Sequence, residues 1–247
     1  MKNNKNFWFY AIGRFISLIG SGIQMVALPL YILDSTGSGT LMGVFSIMTL
    51  VPALVSAPFS GIIGDRKNRR NIMIYTDCGR GILICLLGII TKTSGLSIYI
   101  LFFVQALISI MDSLFNSSSG ALMPELIPKE NLMEAMSIRG GLDGASMVIG
   151  PFIGGIIYAF GGIKTVFFLN GASFFICAVC SLFIVYIKEA AKKEKMSSRV
   201  FISETKEALS FIKSNRGLLQ LFTFAMHIQL QYPAKGLLEL HWAQRIM

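Results

Sequence analysis

The sequence predicts an all-α membrane protein: a six-helix transmembrane bundle followed by a truncated seventh helix. Of its 247 residues 53% are hydrophobic and only 14% charged, and mean hydropathy is +0.64, a balance that soluble domains do not show. The apolar residues gather into runs near or above the ~18 to 20 residues that cross a ~30 Å hydrocarbon core at ~1.5 Å per residue. Those runs lack period-two alternation, so the backbone amides that lipid leaves without partners must be paired inside helices, not in a closed barrel.

Taken in order, the first span is expected over 7–33. Lys2 and Lys5 precede it as in a signal peptide. It is too long for a signal core, however, and no small-x-small cleavage site directly follows, so it reads as a retained helix. "DSTGSGT" (34–40) ends it. The second span covers 41–63 and runs into the charged stretch "GIIGDRKNRRNI"; the third covers 72–90 and stops at "TKTSG" (91–95). The fourth, 96–115, gives way to "NSSSGALMPELIPKEN" (116–131), and "GGIKT" (161–165) separates the fifth, 133–160, from the sixth, 165–187. Each break is rich in residues that favour turns over helix.

Residues 1–187 thus form the bundle. The polar segment 188–216 reads as a linker in which Val200, Ile202, Ala208, Phe211 and Ile212 share a helical face with Lys206 and Lys213 at its edges. Such a segment lies on a lipid surface or is a solvated linker helix; both readings stand. Residues 217–247 begin with "GLLQLFTFAM", about half a span, and continue through His227, Gln229, Gln231, Pro233 and Lys235. The expectation is an incomplete seventh helix and an aberrant tail from about His227, the product of truncation or a frameshift.

Lys2, Lys5, Arg66 to Arg70, Lys129 and the basic residues of 188–216 fall on one side of this arrangement, against Lys92 and Lys164 on the other. The positive-inside bias then puts the N-terminus in the cytoplasm of a multi-pass protein of the cell membrane. The net charge of +9 follows from that bias. It gives no basic face on a soluble domain, so no nucleic-acid partner is expected.

An orientation signal needs only positive charge, but the loop between spans two and three is more particular. Gly61, Asp65, Arg66, Arg69 and Arg70 resemble the pattern G-x-x-x-D-R-x-G-R-R/K of the major facilitator superfamily, which lies between its second and third helices. Asn68 replaces the pattern's inner glycine, a residue that tolerates the left-handed conformation better than most. In span five "SMVIGPFIGG" (146–155) resembles the G-x-x-x-G-P-x-x-G-G signature of drug and proton antiporters, with Ser146 at the first glycine and Gly150, Pro151, Gly154 and Gly155 in register. Together with Gly140 and Gly144 these residues let another helix approach closely, and a generic packing stripe is the alternative reading. "GRFISLIGSGIQMVALPLYILDSTGS" and "ALMPELIPKENLMEAMSI" resemble the branch holding macrolide and siderophore exporters, over residues 7–187.

The resemblance implies the N-terminal half of a major facilitator fold and a secondary active transporter. It implies efflux of a small amphipathic molecule (drug, macrolide or siderophore) driven by a coupling ion, the proton first among candidates. A chain of this extent is expected to be inactive alone and to need a second transporter half or a homodimer. The alternatives are a non-transporting membrane scaffold and one half of a two-chain transporter.

Six charged residues fall well inside the spans, away from their ends: Arg14, Asp77, Arg80, Asp112, Arg139 and Asp143. Each costs roughly 2.5 to 3.5 kcal/mol to insert, so each needs a reason. Residue offsets place all six in one layer roughly 7 to 14 Å from the cytoplasmic boundary. Asp77 and Arg80 can pair at i, i+3, and Arg139 and Asp143 at i, i+4. The layer is either a set of static pairs or an inner gate that opens when a carboxylate is protonated or displaced.

Nothing in the sequence calls for catalysis, a metal or a cofactor. Cys177 and Cys180 form a C-x-x-C inside an apolar span, where thiols pack, and Cys78 and Cys85 read the same way. His227 and His241 follow the bundle, and there is no phosphate-binding loop, so an ion gradient and not ATP must supply energy. The lipid bilayer, a small-molecule substrate and a coupling ion are the expected partners.

Overall fold

The computed structural model describes residues 4–93, 97–186 and 220, with the backbone alone at 92 and 93. The expected linker (188–216), the incomplete seventh helix apart from Gln220, and the tail after His227 lie outside the described residues. Among the described residues all regular structure is helical.

Asn4 starts α1 (Lys5–Thr36) by accepting the Phe7 N–H at 3.1 Å, and Gly37 ends it with φ of 64°, its N–H returning to the Leu33 carbonyl. This is the left-handed glycine cap that satisfies a last-turn carbonyl. Ser38 caps α2 (Gly39–Arg66). Only Lys67 and Asn68 then intervene before α3 (Arg69–Thr93). Asn68 accepts the Asn71 N–H at 3.2 Å, and no residue other than glycine has positive φ among the described residues. Asn68 therefore serves as the side-chain cap of α3, not as a tolerant left-handed residue.

The fourth helix, α4 (Ile98–Leu122), runs well past residue 115, through "NSSSG". Turn-forming composition loses there because Ser119 and Ser118 are buried and Ser119 meets the hydroxyl of Tyr10 at 2.9 Å. Short 3₁₀ turns at Met123–Glu125 and Lys129–Asn131 lead into one long helix, Leu132–Leu182, broken at Gly162, where φ is 67° and ψ 178°. We label its halves α5 (132–161) and α6 (163–182). The expected five-residue break at 161–165 is thus one glycine, in a conformation that side chains resist. The sixth span ends at Leu182, short of 187.

Pairwise contacts give the topology. Arg14, Gly22 and Ile23 of α1 meet Asp143, Gly150 and Gly154 of α5 in the same sequence order. Gly13 and Gly20 meet Cys180 and Ser173 of α6 in the reverse order. The chain therefore doubles back at Gly162. Phe45, Ser60 and Gly64 of α2 run parallel to Phe102, Ser113 and Ser118 of α4. Gly81 and Gly88 of α3 run antiparallel to Phe175 and Phe167 of α6. These orders describe six segments crossing alternately up and down.

Two apolar cores fill the bundle. One, around Leu28, Phe45, Ile84, Leu101, Phe167 and Phe174, occupies the middle and the end away from Asp65. The other, around Phe7, Tyr10, Met73, Phe115, Leu122 and Ile127, occupies the end nearer the charged loop. Outward-facing positions are also apolar: Phe103 is 66% exposed, Phe152 70% and Phe160 90%. Such a surface suits hydrocarbon and not water.

Candidate functional site

The six charges inside the spans form two groups, each bridging helices. In the first, Arg14 on α1 binds Asp143 on α5 through two parallel bonds, Nε to Oδ1 and Nη2 to Oδ2, both 3.0 Å. Its remaining nitrogen donates to Asn116 Oδ1 and Ser119 Oγ of α4, each at 3.3 Å. The fork geometry of a guanidinium on a carboxylate makes this among the stronger contacts available to the chain. Arg139 approaches the same carboxylate at 3.7 Å, so the expected i, i+4 pair is present but secondary.

The second group centres on Arg80 of α3, which binds Asp77 one turn before it and Asp112 on α4. Its guanidinium lies 4.6 Å from the ring centre of Phe115 and 4.3 Å from that of Phe174. Two rings against the guanidinium help hold a cation that is almost shut off from water. Asp77 is 0% exposed and Asp112 35%.

The charged loop continues the network to the end of the bundle. Arg69 binds Asp65 at 2.8 Å, the Ala121 carbonyl at 3.3 Å, and Glu125 in the 3₁₀ turn after α4. Glu125 in turn accepts the hydroxyl of Tyr186 at 2.6 Å. Burial, and then the bond to Glu125 and its charge, push the Tyr186 phenol from its ordinary 10 up to about 12. Arg70 donates to the Ser181 carbonyl at 3.0 Å and to that of Leu182, the last carbonyls of α6. A cation there also faces the negative end of the helix dipole. Arg66 is the basic residue of the last turn of α2, and the space beside Gly61 is open.

The glycines of α5 divide. A Cβ on Gly150 would lie 2.9 Å from the Cα of Gly22, and one on Gly154 would lie 2.8 Å from the Cα of Ile23, so these two admit the backbone of α1. Pro151 borders the same contact, its Cδ 3.1 Å from the position of a Cβ on Gly22. At Gly140, Gly144 and Gly155 nothing lies within 4 Å. The stripe expected to receive one helix therefore packs within its own bundle at two positions.

Partners of these charges were not legible one by one. Glu125 and Tyr186 lie in segments read as loop or span end, and Asn116, Ser119 and Tyr10 carry no charge to mark them. A separate amide cluster also escapes a search for charges. Gln24 of α1 donates to Gln105 of α4 at 3.2 Å and accepts from Asn170 of α6, and Ser173 bonds to Asn170. Scanning the spans for amides as well as charges would have found it.

Six alternating apolar segments with paired charges at one end define a multi-pass membrane protein. Residues 10–238 match the family model of the Major Facilitator Superfamily, and the chain belongs to that superfamily, a family of transporters and not of enzymes. It is 26% identical over 216 residues to the uncharacterized MFS-type transporter YfiS of Bacillus subtilis strain 168, covering 86% of this chain and 50% of that one. To macrolide efflux protein A of Streptococcus pyogenes it is 25% identical over 221 residues, 89% of this chain and 54% of the relative. To multidrug resistance protein MdtG of Proteus mirabilis it is 29% identical over 234 residues, 91% and 54% respectively. The chain spans about half the length of the curated relatives it matches. The family match continues to residue 238, past His227, where an aberrant tail is expected to begin.

Proposed function

We propose that this chain supplies one bundle of a secondary active transporter that drives efflux of a small amphipathic molecule, of the drug, macrolide or siderophore kind, with an ion gradient. Transport then requires a second bundle, from further chain, a partner or a second copy, because alternating access needs two bundles to rock about a shared site. The end bearing Asp65, Arg66, Arg69 and Arg70 faces the cytoplasm of the cell, as the basic bias favours. Residues 1–187 are the transport bundle, and the segment that follows is a linker.

One observation carries the reading. Each of the six charges well inside the spans, Arg14, Asp77, Arg80, Asp112, Arg139 and Asp143, is tied across or along helices at the end where the charged loop lies. Along α4, Asp112 holds Arg80, Asn116 and Ser119 hold Arg14, and Ala121 and Glu125 just beyond it hold Arg69. That is a ladder roughly 20 Å long. Its rungs fasten α1 and α3 to α4, with α5 joined through the Arg14 and Asp143 pair, and so act as an inner gate, closed in this structure. Gly150, Pro151 and Gly154 fix α1 to α5 so that the two move as one unit, and Gly155 is left for the opposing bundle.

The test is flux of a fluorescent amphipathic probe into inside-out vesicles that hold this chain with a second bundle. Accumulation that needs a pH gradient and collapses with a protonophore supports the reading. Accumulation that needs ATP, or none with any second bundle, removes it.

A further inference from the structure

The two charge groups do not each cancel. Arg14 and Arg139 surround one carboxylate, Asp143. Asp77 and Asp112 share one cation, Arg80. With every group ionised the second cluster carries a surplus negative charge, and it is the more deeply enclosed: Asp77 is 0% exposed and Arg80 3%. One oxygen of Asp77, Oδ2, accepts no N–H or O–H among the described residues. Beside the carboxylate lies only the weakly donating thiol of Cys177. A carboxylate buried with half its acceptor capacity unused is costly, and two that compete for one cation cannot both be well paired. The other ionisable groups that interact with the pair are Arg80, the adjacent Cys78 thiol and, on α6, Cys177. The thiols add no positive charge to that of Arg80.

We propose that Asp77 and Asp112 together hold one exchangeable proton against Arg80, and that this is the coupling-ion site. The coupling role rests on the transporter reading; the proton itself does not. Loaded, the cluster is neutral: one carboxylate pairs with Arg80 and the other carries the proton. Unloaded, it carries one net negative charge, which the closed bundle tolerates poorly. Asp112, at 35% exposure, is the rim through which the proton exchanges, and Asp77 is the sealed inner position. Release is then favoured when α3 and α4 part enough for water to reach the cluster. The Asp112 contact is itself a rung between those helices, so the gate opens as the proton leaves, the reverse of the protonation-driven opening that the sequence leads one to expect.

Infrared spectroscopy of the purified full chain in lipid nanodiscs, with isotope-labelled aspartate, tests this at neutral pH. The expected result is one protonated aspartic carboxyl per chain, lost in both Asp77→Asn and Asp112→Asn. Each variant keeps a neutral Arg80 pair and should fold, as circular dichroism will report. Absence of the band in the unaltered chain, or its survival in both variants, overturns the site. On the unaltered chain alone, raising pH must titrate the band away, while sodium at fixed pH must leave it. Sodium displacing the band makes the ligand a metal cation and overturns the proton. A band in a protein that moves nothing with any second bundle sinks the transporter reading and leaves the proton site. Gradient-driven flux without a band does the reverse.

Discussion

Arg80 shows what a charge needs in order to lie within a membrane span. Two carboxylates satisfy its charge and two aromatic rings lie against it. Replacing it with leucine leaves both aspartates without a cation and should cost about 3 to 5 kcal/mol of stability. Arg80→Lys keeps the charge but loses the planar stacking and should cost less, about 1 to 2 kcal/mol. Equilibrium unfolding in mild detergent measures both, and a lysine variant as damaged as the leucine variant would contradict the view that charge dominates. At the edge of the network Tyr186 makes a pH prediction. Its phenol is held protonated, up to about 12 against an ordinary 10. The folded chain thus binds that proton more tightly than the unfolded one, so the contact contributes fully below about pH 10 and is lost as pH rises through about 12. Phenolate absorbance that disappears in Tyr186→Phe should rise near pH 12, and Glu125→Gln should move it down towards 10. The charges themselves were legible from sequence, because any charge in an apolar run stands out. Their partners were not: Arg14 and Asp143 are 129 positions apart, and no local spacing connects them.

At the scale of elements, local signals placed the six segments but not their ends. Asn4, Gly37 and Ser38 cap as their types predict. Residues 116–122 carry turn-forming composition yet stay helical, because Ser118 and Ser119 are buried and Ser119 pairs with Tyr10; tertiary contact overrides composition there. The glycine stripe of α5 was visible, but which of its glycines face α1 depends on the crossing, which no local pattern gives. This yields a paired prediction. Gly150→Ala places a Cβ 2.9 Å from backbone that a side-chain movement cannot relieve, whereas Gly155→Ala meets nothing within 4 Å. The first should destabilise by about 1 to 3 kcal/mol and the second by little or nothing. Thermal unfolding in detergent separates them, and equal effects would remove the α1–α5 contact from the account.

For the whole molecule, the class and the family were legible in hydropathy and two motifs, and the family match carries both. What sequence alone could not supply was closure: that the charged layer is two separate groups, and that α4 bears a partner for nearly every cation in it. Orientation is testable directly. In a cysteine-free background Ser35→Cys should react with an impermeant maleimide on intact cells, and Lys129→Cys only after permeabilisation. The reverse pattern would invert the gate. The central claim is that the Arg14 and Asp143 pair works as a clasp between α1 and α5. The most direct measurement compares probe flux, with a second bundle supplied, for Arg14→Asp, for Asp143→Arg, and for the two together. Each single reversal puts two like charges face to face and should cut flux at least about tenfold, since breaking a buried pair costs several kcal/mol. The exchanged pair should recover most of the loss. If the double variant is no better than the worse single one, direct pairing of Arg14 with Asp143 is not what fastens α1 to α5.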